Sequence, residues 1–172
     1  MLRGLFDAYA RVHPGGEGDT VRRLVFLVGV AAMVLVAGGT ALAATLACNG
    51  GRCVGGDGAD TMFGSGGRDE IYSLGGRDLV RAYAGGDFVN GDGGDDRLTG
   101  GRGDDTVNGS DGEDLVAGNP GNDRLNGGTG SDRIEAVDGM RDQISCGNGP
   151  RDVAVFDSGL DRLAGCEIRQ PR

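Results

Sequence analysis

Gly100-Gly101-Arg102-Gly103-Asp104-Asp105-Thr106-Val107 and Gly127-Gly128-Thr129-Gly130-Ser131-Asp132-Arg133-Ile134 are two copies of one unit, and Gly55-Gly56-Asp57-Gly58-Ala59-Asp60-Thr61-Met62 is a third. Through and between them an aspartate recurs every nine residues: Asp60, Asp69, Asp78, Asp87, Asp96, Asp105, Asp114, Asp123 and Asp132. Two residues before each stands a glycine, from Gly58 to Gly130; two residues after each stands an apolar residue, from Met62 to Ile134. Self-similarity at a fixed period is the signature of a repeat architecture. Carboxylates at equal intervals also require a cation, because unpaired like charges at that spacing repel.

The unit reads G-G-x-G-x-D-x-U-x, with U apolar. It resembles the nonapeptide of the RTX, or hemolysin-type, calcium-binding repeat proteins. The resemblance covers residues 55–136 and implies a parallel β-roll with calcium held between its turns. Some copies depart at the first two glycines, as Ser73-Leu74, Ala82-Tyr83 and Gly118-Asn119 do.

Spacing supports the same geometry. Each unit divides into a six-residue turn and a three-residue strand. Thr61-Met62-Phe63 and Arg97-Leu98-Thr99 each place one apolar side chain inward between two outward ones. Glycine gives the turn positive φ without steric cost. Two units make a coil of eighteen residues, so alternate turns stack on the same side. One side then carries Asp60, Asp78, Asp96, Asp114 and Asp132, and the other Asp69, Asp87, Asp105 and Asp123.

Coils stacked ~4.8 Å apart bring successive aspartates within reach of one ion. A hard cation with oxygen ligands at ~2.3–2.6 Å suits carboxylates plus turn carbonyls, and calcium fits better than magnesium, which demands stricter geometry and keeps its water. Gly91, Gly100, Arg102, Gly109 and Gly118 join the nine aspartates as candidate calcium ligands from the turns. Five turns on one side leave four gaps and four on the other leave three, a ceiling of seven sites. Turns from Gly91 onward keep the first glycine, so the stronger sites are expected there and weaker ones between Ser73 and Asp87.

The expected fold class is all-β: a parallel β-roll or β-helix solenoid with small disulfide-clipped caps, preceded by an N-terminal signal or transmembrane helix. The organisation read from the chain is a signal peptide over 1–43, an N-terminal cap over 44–54, the calcium-binding roll over 55–136, and degenerate repeats with a C-terminal cap over 137–172. Arg22-Arg23, the uncharged run Leu24–Ala47 and the small-residue motif Ala41-Leu42-Ala43 carry the signal-peptide reading. An uncleaved anchor is its alternative, and that run is the chain's one expected contact with a membrane.

Cys48 and Cys53 precede the array, and Cys146 and Cys166 follow it. An even count in an exported chain reads as disulfides. Of three pairings, Cys48–Cys53 with Cys146–Cys166 clips both ends, where a solenoid exposes strand edges and apolar surface. In the tail, Arg141 stands where the period puts an aspartate, while Asp142-Gln143-Ile144, Asp152-Val153-Ala154 and Asp161-Arg162-Leu163 keep the Asp-x-apolar core at altered spacing. That tail resembles the C-terminal cap of small exported bacterial calcium-binding repeat proteins.

The 172 residues hold 37 glycines, no lysine and no tryptophan, at a net charge of −9. Such a charge disfavours nucleic acid, which needs basic patches. His13, the single histidine, lies in the expected signal segment, so the exported part has no histidine base and no lysine nucleophile. Two functions follow from different classes. One is an exported, non-enzymatic calcium-binding domain that folds on meeting the ion outside the cytoplasm. The other is a binding module whose sheet face, with outward residues such as Tyr72 and Thr99, recognises a polysaccharide or cell surface.

Overall fold

Side-chain alternation decides the architecture. In each unit the sixth, eighth and next first residues point inward, so Asp105, Val107 and Gly109 are buried while Thr106 and Asn108 between them are partly exposed. The computed structural model describes residues 43–172. The expected signal segment and His13 lie outside the described residues, as does most of Leu24–Ala47.

The inward positions build two parallel sheets that face each other across a narrow core. The eight-stranded sheet runs β1 (Thr45–Ala47), β3 (Thr61–Phe63), β5 (Leu79–Ala84), β7 (Arg97–Arg102), β9 (Leu115–Ala117), β11 (Arg133–Ala136), β13 (Val153–Phe156) and β15 (Ile168–Pro171). The seven-stranded sheet holds β2 (Gly51–Gly56), β4 (Asp69–Leu74), β6 (Phe88–Asn90), β8 (Thr106–Asp111), β10 (Arg124–Thr129), β12 (Gln143–Asn148) and β14 (Arg162–Ala164). Successive strands alternate between sheets, which makes a solenoid of about seven coils. Neighbours pair in parallel at the expected offset of eighteen residues: Val80 lies beside Leu98, and Val89 beside Val107.

Met62, Ile71, Val80, Val89, Leu98, Val107, Val116, Leu125 and Ile134 form the core, all essentially inaccessible to solvent. One such side chain per nine residues is a thin core, since burial of each contributes only about 1.5–3 kcal/mol. Cys53 sits at an inward position in register with Ile71, as its spacing from Met62 requires.

Three points refine the expectations. First, the strand is often longer than three residues. β4, β5, β7, β8 and β10 each span six, because residues of the following turn also pair across coils, as Tyr83 does with Gly101 and Ala84 with Arg102. Second, the expected N-terminal cap is itself a rung: β1 pairs with β3 and β2 with β4. Thr45–Ala47, at the end of the uncharged run, is therefore a strand, and Leu46 is 1 % exposed in the core. Third, the tail continues both sheets through β12 to β15. One-residue insertions are absorbed in the turns, so Arg124 pairs with Gln143 and Arg133 with Val153. Arg141 is the exposed insertion and Asp142 takes the buried inward place.

Both expected disulfides are present, Cys48–Cys53 at one end and Cys146–Cys166 at the other. Among the described residues no cysteine is free, and no helix is long and apolar enough to cross a membrane.

Candidate metal centre

The nine repeat aspartates line the interior in two columns. Each is at most 3 % exposed. They are inward because they precede the core residue by two, and a period of two puts both on one face. Oδ1 of each aspartate accepts an amide from the coil before. Asp60 N–H donates to Asp78, Asp78 to Asp96, Asp96 to Asp114 and Asp114 to Asp132, at 2.7–2.9 Å. In the second column Asp69 N–H donates to Asp87, Asp87 to Asp105 and Asp105 to Asp123, each at 2.8 Å.

The columns run past the regular repeats. Asp123 N–H donates to Asp142, and Asp142 N–H to Asp161; Asp132 N–H donates to Asp152, and Asp152 N–H to Oε2 of Glu167. Asp142, Asp152 and Asp161 were legible only as an Asp-x-apolar triplet at shifted spacing; a strict nine-residue ruler passes over them. At the opposite end Ala44 N–H donates to Asp60 and Gly50 N–H to Asp69.

Oδ2 is the unassigned atom. In Asp78, Asp87, Asp96, Asp105, Asp114, Asp123, Asp132, Asp142 and Asp152 it is buried without a hydrogen-bond partner. A buried, unpartnered carboxylate oxygen is costly unless a cation meets it. Among the described residues the single ion pair is the exposed Arg133–Glu135, so no guanidinium reaches the columns.

The first glycine of the unit explains where that oxygen points. A Cβ on Gly91 would lie 2.5 Å from Asp96 Oδ2 and 2.6 Å from the carbonyl of Gly109. A Cβ on Gly100 would lie 2.5 Å from Asp105 Oδ2, and Gly109, Gly118 and Gly127 face their own aspartates in the same way. Carboxylate and carbonyl oxygens thus converge over a residue that has no side chain. Ser73 and Ala82 put a Cβ in that place. The Ser73 hydroxyl donates to the carbonyl of Gly91 at 3.0 Å, which engages one of the candidate ligands. Their neighbours Leu74 and Tyr83 hold φ of 75°, a conformation that favours glycine. The carbonyls of Arg102 and Gly118 already take the amides of Gly85 and Gly101, and each keeps a second lone pair.

Burial perturbs these acids. It pushes Asp96 and Asp123 up to about 7, and Asp105, Asp114, Asp132 and Asp142 up to about 6, with neighbouring carboxylates adding to the rise. Burial also raises Asp78 and Asp87. Nearby amides oppose the shift without cancelling it. An oxygen-only, hard, anionic donor set of this kind fits calcium.

Comparison with known families agrees. The family model described as RTX calcium-binding nonapeptide repeat (4 copies) matches residues 54–89, 81–116 and 117–139, together half of the chain. No curated protein and no solved structure matches the chain. The matched repeats, their two aspartate columns and the parallel solenoid place the chain in the RTX calcium-binding nonapeptide repeat family, whose repeats bind calcium on a β-roll.

Proposed function

We propose that this chain is an exported, non-catalytic calcium-binding β-roll that folds when the ion enters its aspartate columns, and that it serves a structural or surface role. The observation that carries the reading is the file of buried Oδ2 atoms without partners. Asp60, Asp69, Asp78, Asp87, Asp96, Asp105, Asp114, Asp123 and Asp132 supply the charge. The carbonyls of Gly91, Gly100, Arg102, Gly109 and Gly118 supply neutral oxygens from the same turns. Since the apolar core is thin and the columns repel when ionised, metal-binding energy becomes folding energy.

Export is supported by the N-terminal end of the column. A cut after Ala43 would free Ala44, whose nitrogen already lies 2.7 Å from Asp60 Oδ1. The resulting ammonium would close that column with a positive charge. A non-enzymatic role is supported by the absence of lysine and by the position of His13, the single histidine.

Calcium titration of the purified chain, followed by far-UV circular dichroism, tests the proposal. The expected result is a cooperative gain of β signal that chelator reverses. A β signal indifferent to calcium would sink it.

A second reading has its own observation. The outer face of the seven-stranded sheet carries a trough lined by Phe88, Asn108, Arg124, Asn126 and Arg162. The amides of Asn90, Asn108 and Asn126 form a hydrogen-bonded file along it. An aromatic ring beside planar amides and guanidinium groups suits a polysaccharide. A glycan array probed in calcium checks this, and an array with no retained glycan leaves the structural role alone.

A further inference from the structure

Six turns share one hydrogen bond across coils, and the turn at Gly121 replaces its carbonyl acceptor with a carboxylate. In regular turns the amide of the fourth residue donates to the carbonyl of the third residue one coil on. Gly85 donates to Arg102, Gly94 to Asp111, Gly103 to Pro120 and Gly112 to Thr129, at 2.8–2.9 Å. Gly121 instead donates to a side chain, the Oδ2 of Asp138, at 3.0 Å. Asp138 lies three residues before the inserted Arg141, and its own backbone amide donates to Asp157 Oδ2. A carboxylate therefore stands where those turns present a neutral carbonyl.

This brings three acids together. One oxygen from each of Asp123, Asp138 and Asp142 lies within 4.8 Å of the others. Asp123 is 1 % exposed and Asp142 is not exposed at all. Their Oδ1 atoms are taken by the amides of Asp105 and Asp123, while their Oδ2 atoms are buried with no partner. Three carboxylates in that space cannot stay ionised and close without a multivalent cation.

We infer that Asp123, Asp138 and Asp142 hold a calcium ion of their own at the junction of the regular roll and the C-terminal cap. This rests on the calcium reading above but goes beyond the seven gaps of the nine-residue pattern. Asp142 lies outside the matched repeats, and no regular turn supplies a third carboxylate. Ligand charge count is one of the factors that sets calcium affinity, so this site is the tightest in the molecule. Its ion ties β10 to β12, the strands that lead from the repeats into the cap.

Calcium ions bound to the full chain are counted by native mass spectrometry across a calcium series. Asp138→Asn is expected to lose one ion, the one that binds first in the wild type. Asp111→Asn alters the third residue of a regular turn, whose backbone carbonyl already serves Gly94, and is expected to keep the full count. An unchanged count and order of binding in Asp138→Asn would overturn the inference. As a check that needs no variant, wild-type crystals soaked in terbium(III) are mapped by anomalous scattering. A peak touching all three carboxylates supports the site, and peaks at regular turns with none at Asp138 overturn it. A wild type that binds no calcium is a separate result, which defeats the calcium reading itself.

Discussion

The amide of Asp105 donates to Oδ1 of Asp123, 2.8 Å away and one coil further on, and this leaves Oδ2 of Asp123 buried and unpartnered. From Asp78 to Asp132 each aspartate in the columns divides its two oxygens in this way: one fixes the position of the coil before, and the other is left buried without a partner. In Asp60 and Asp69 the second oxygen accepts the amides of Gly56 and Ser65.

The two oxygens can be separated by substitution. Asp105→Asn keeps an oxygen for the Asp87 amide but removes the charge. It is expected to raise the calcium midpoint by at least roughly tenfold, the lower end of what substitutions around bound metals cost. Asp78→Asn is expected to do less, because Ser73 crowds that turn and engages Gly91. Calcium titrations of both variants by circular dichroism check the difference, and equal shifts would remove the gradient between the two halves.

Gly109→Ala is expected to lower the melting temperature in calcium. Its Cβ would collide with Asp114 Oδ2 and the Gly127 carbonyl, and overpacking of that kind costs about 1–3 kcal/mol. Ala82→Gly, the reverse change at an equivalent place, is expected to tighten calcium binding. Calorimetric scans with and without calcium distinguish a packing cost, present in both, from a lost ion.

Acidity should act in opposite directions on the two forms. Asp96 and Asp123 rise to about 7 by burial, and Asp105, Asp114, Asp132 and Asp142 to about 6, from an ordinary value of 3.8. Between those limits the folded, metal-free chain binds more protons than the unfolded chain, so its stability falls as pH rises. The contribution is complete below about pH 3.8 and lost by about pH 7. In chelator, the chain is expected to gain β structure on acidification from pH 7.5 to pH 4.5. In calcium, acidification is expected to weaken binding, because protons and metal compete for the same oxygens. Circular dichroism at fixed calcium across that range reads both effects.

The two disulfides should differ in weight. Loop-closure entropy assigns about 3 kcal/mol to Cys146–Cys166, separated by 20 residues, and about 2 kcal/mol to Cys48–Cys53, separated by 5. Paired serine substitutions at each bridge, melted in saturating calcium, check the order. A larger loss from Cys48–Cys53 would mean that the N-terminal rung depends on covalent closure.

The columns and the core were legible because period nine and period two agree over 55–136. Met62 can be assigned to the core, and Asp60 to a column of stacked turns, with no structure in hand. What the pattern hid was the inward direction of the carboxylates and the continuation of the columns. Asp142 and Asp152 are displaced by single insertions, which a strict ruler reads as loss of phase although a turn absorbs them. Asp138 left no sequence signal, since an aspartate at the third place also occurs at Asp57 and Asp111 without meeting two others. The long strands were missed for a related reason. Glycine-rich turns read as breaks, yet in β7 and β8 their backbones carry parallel pairing.

The amide-to-carboxylate columns have a direction. In every rung the donor belongs to the earlier coil and the acceptor to the later one, from Ala44 and Asp60 to Asp152 and Glu167. A chain that emerges with its N-terminus first therefore always offers the donor before the acceptor arrives. Each new coil finds a prepared template and leaves another behind it, so the solenoid can be laid down in the order of its own delivery, like courses of brick set from one end.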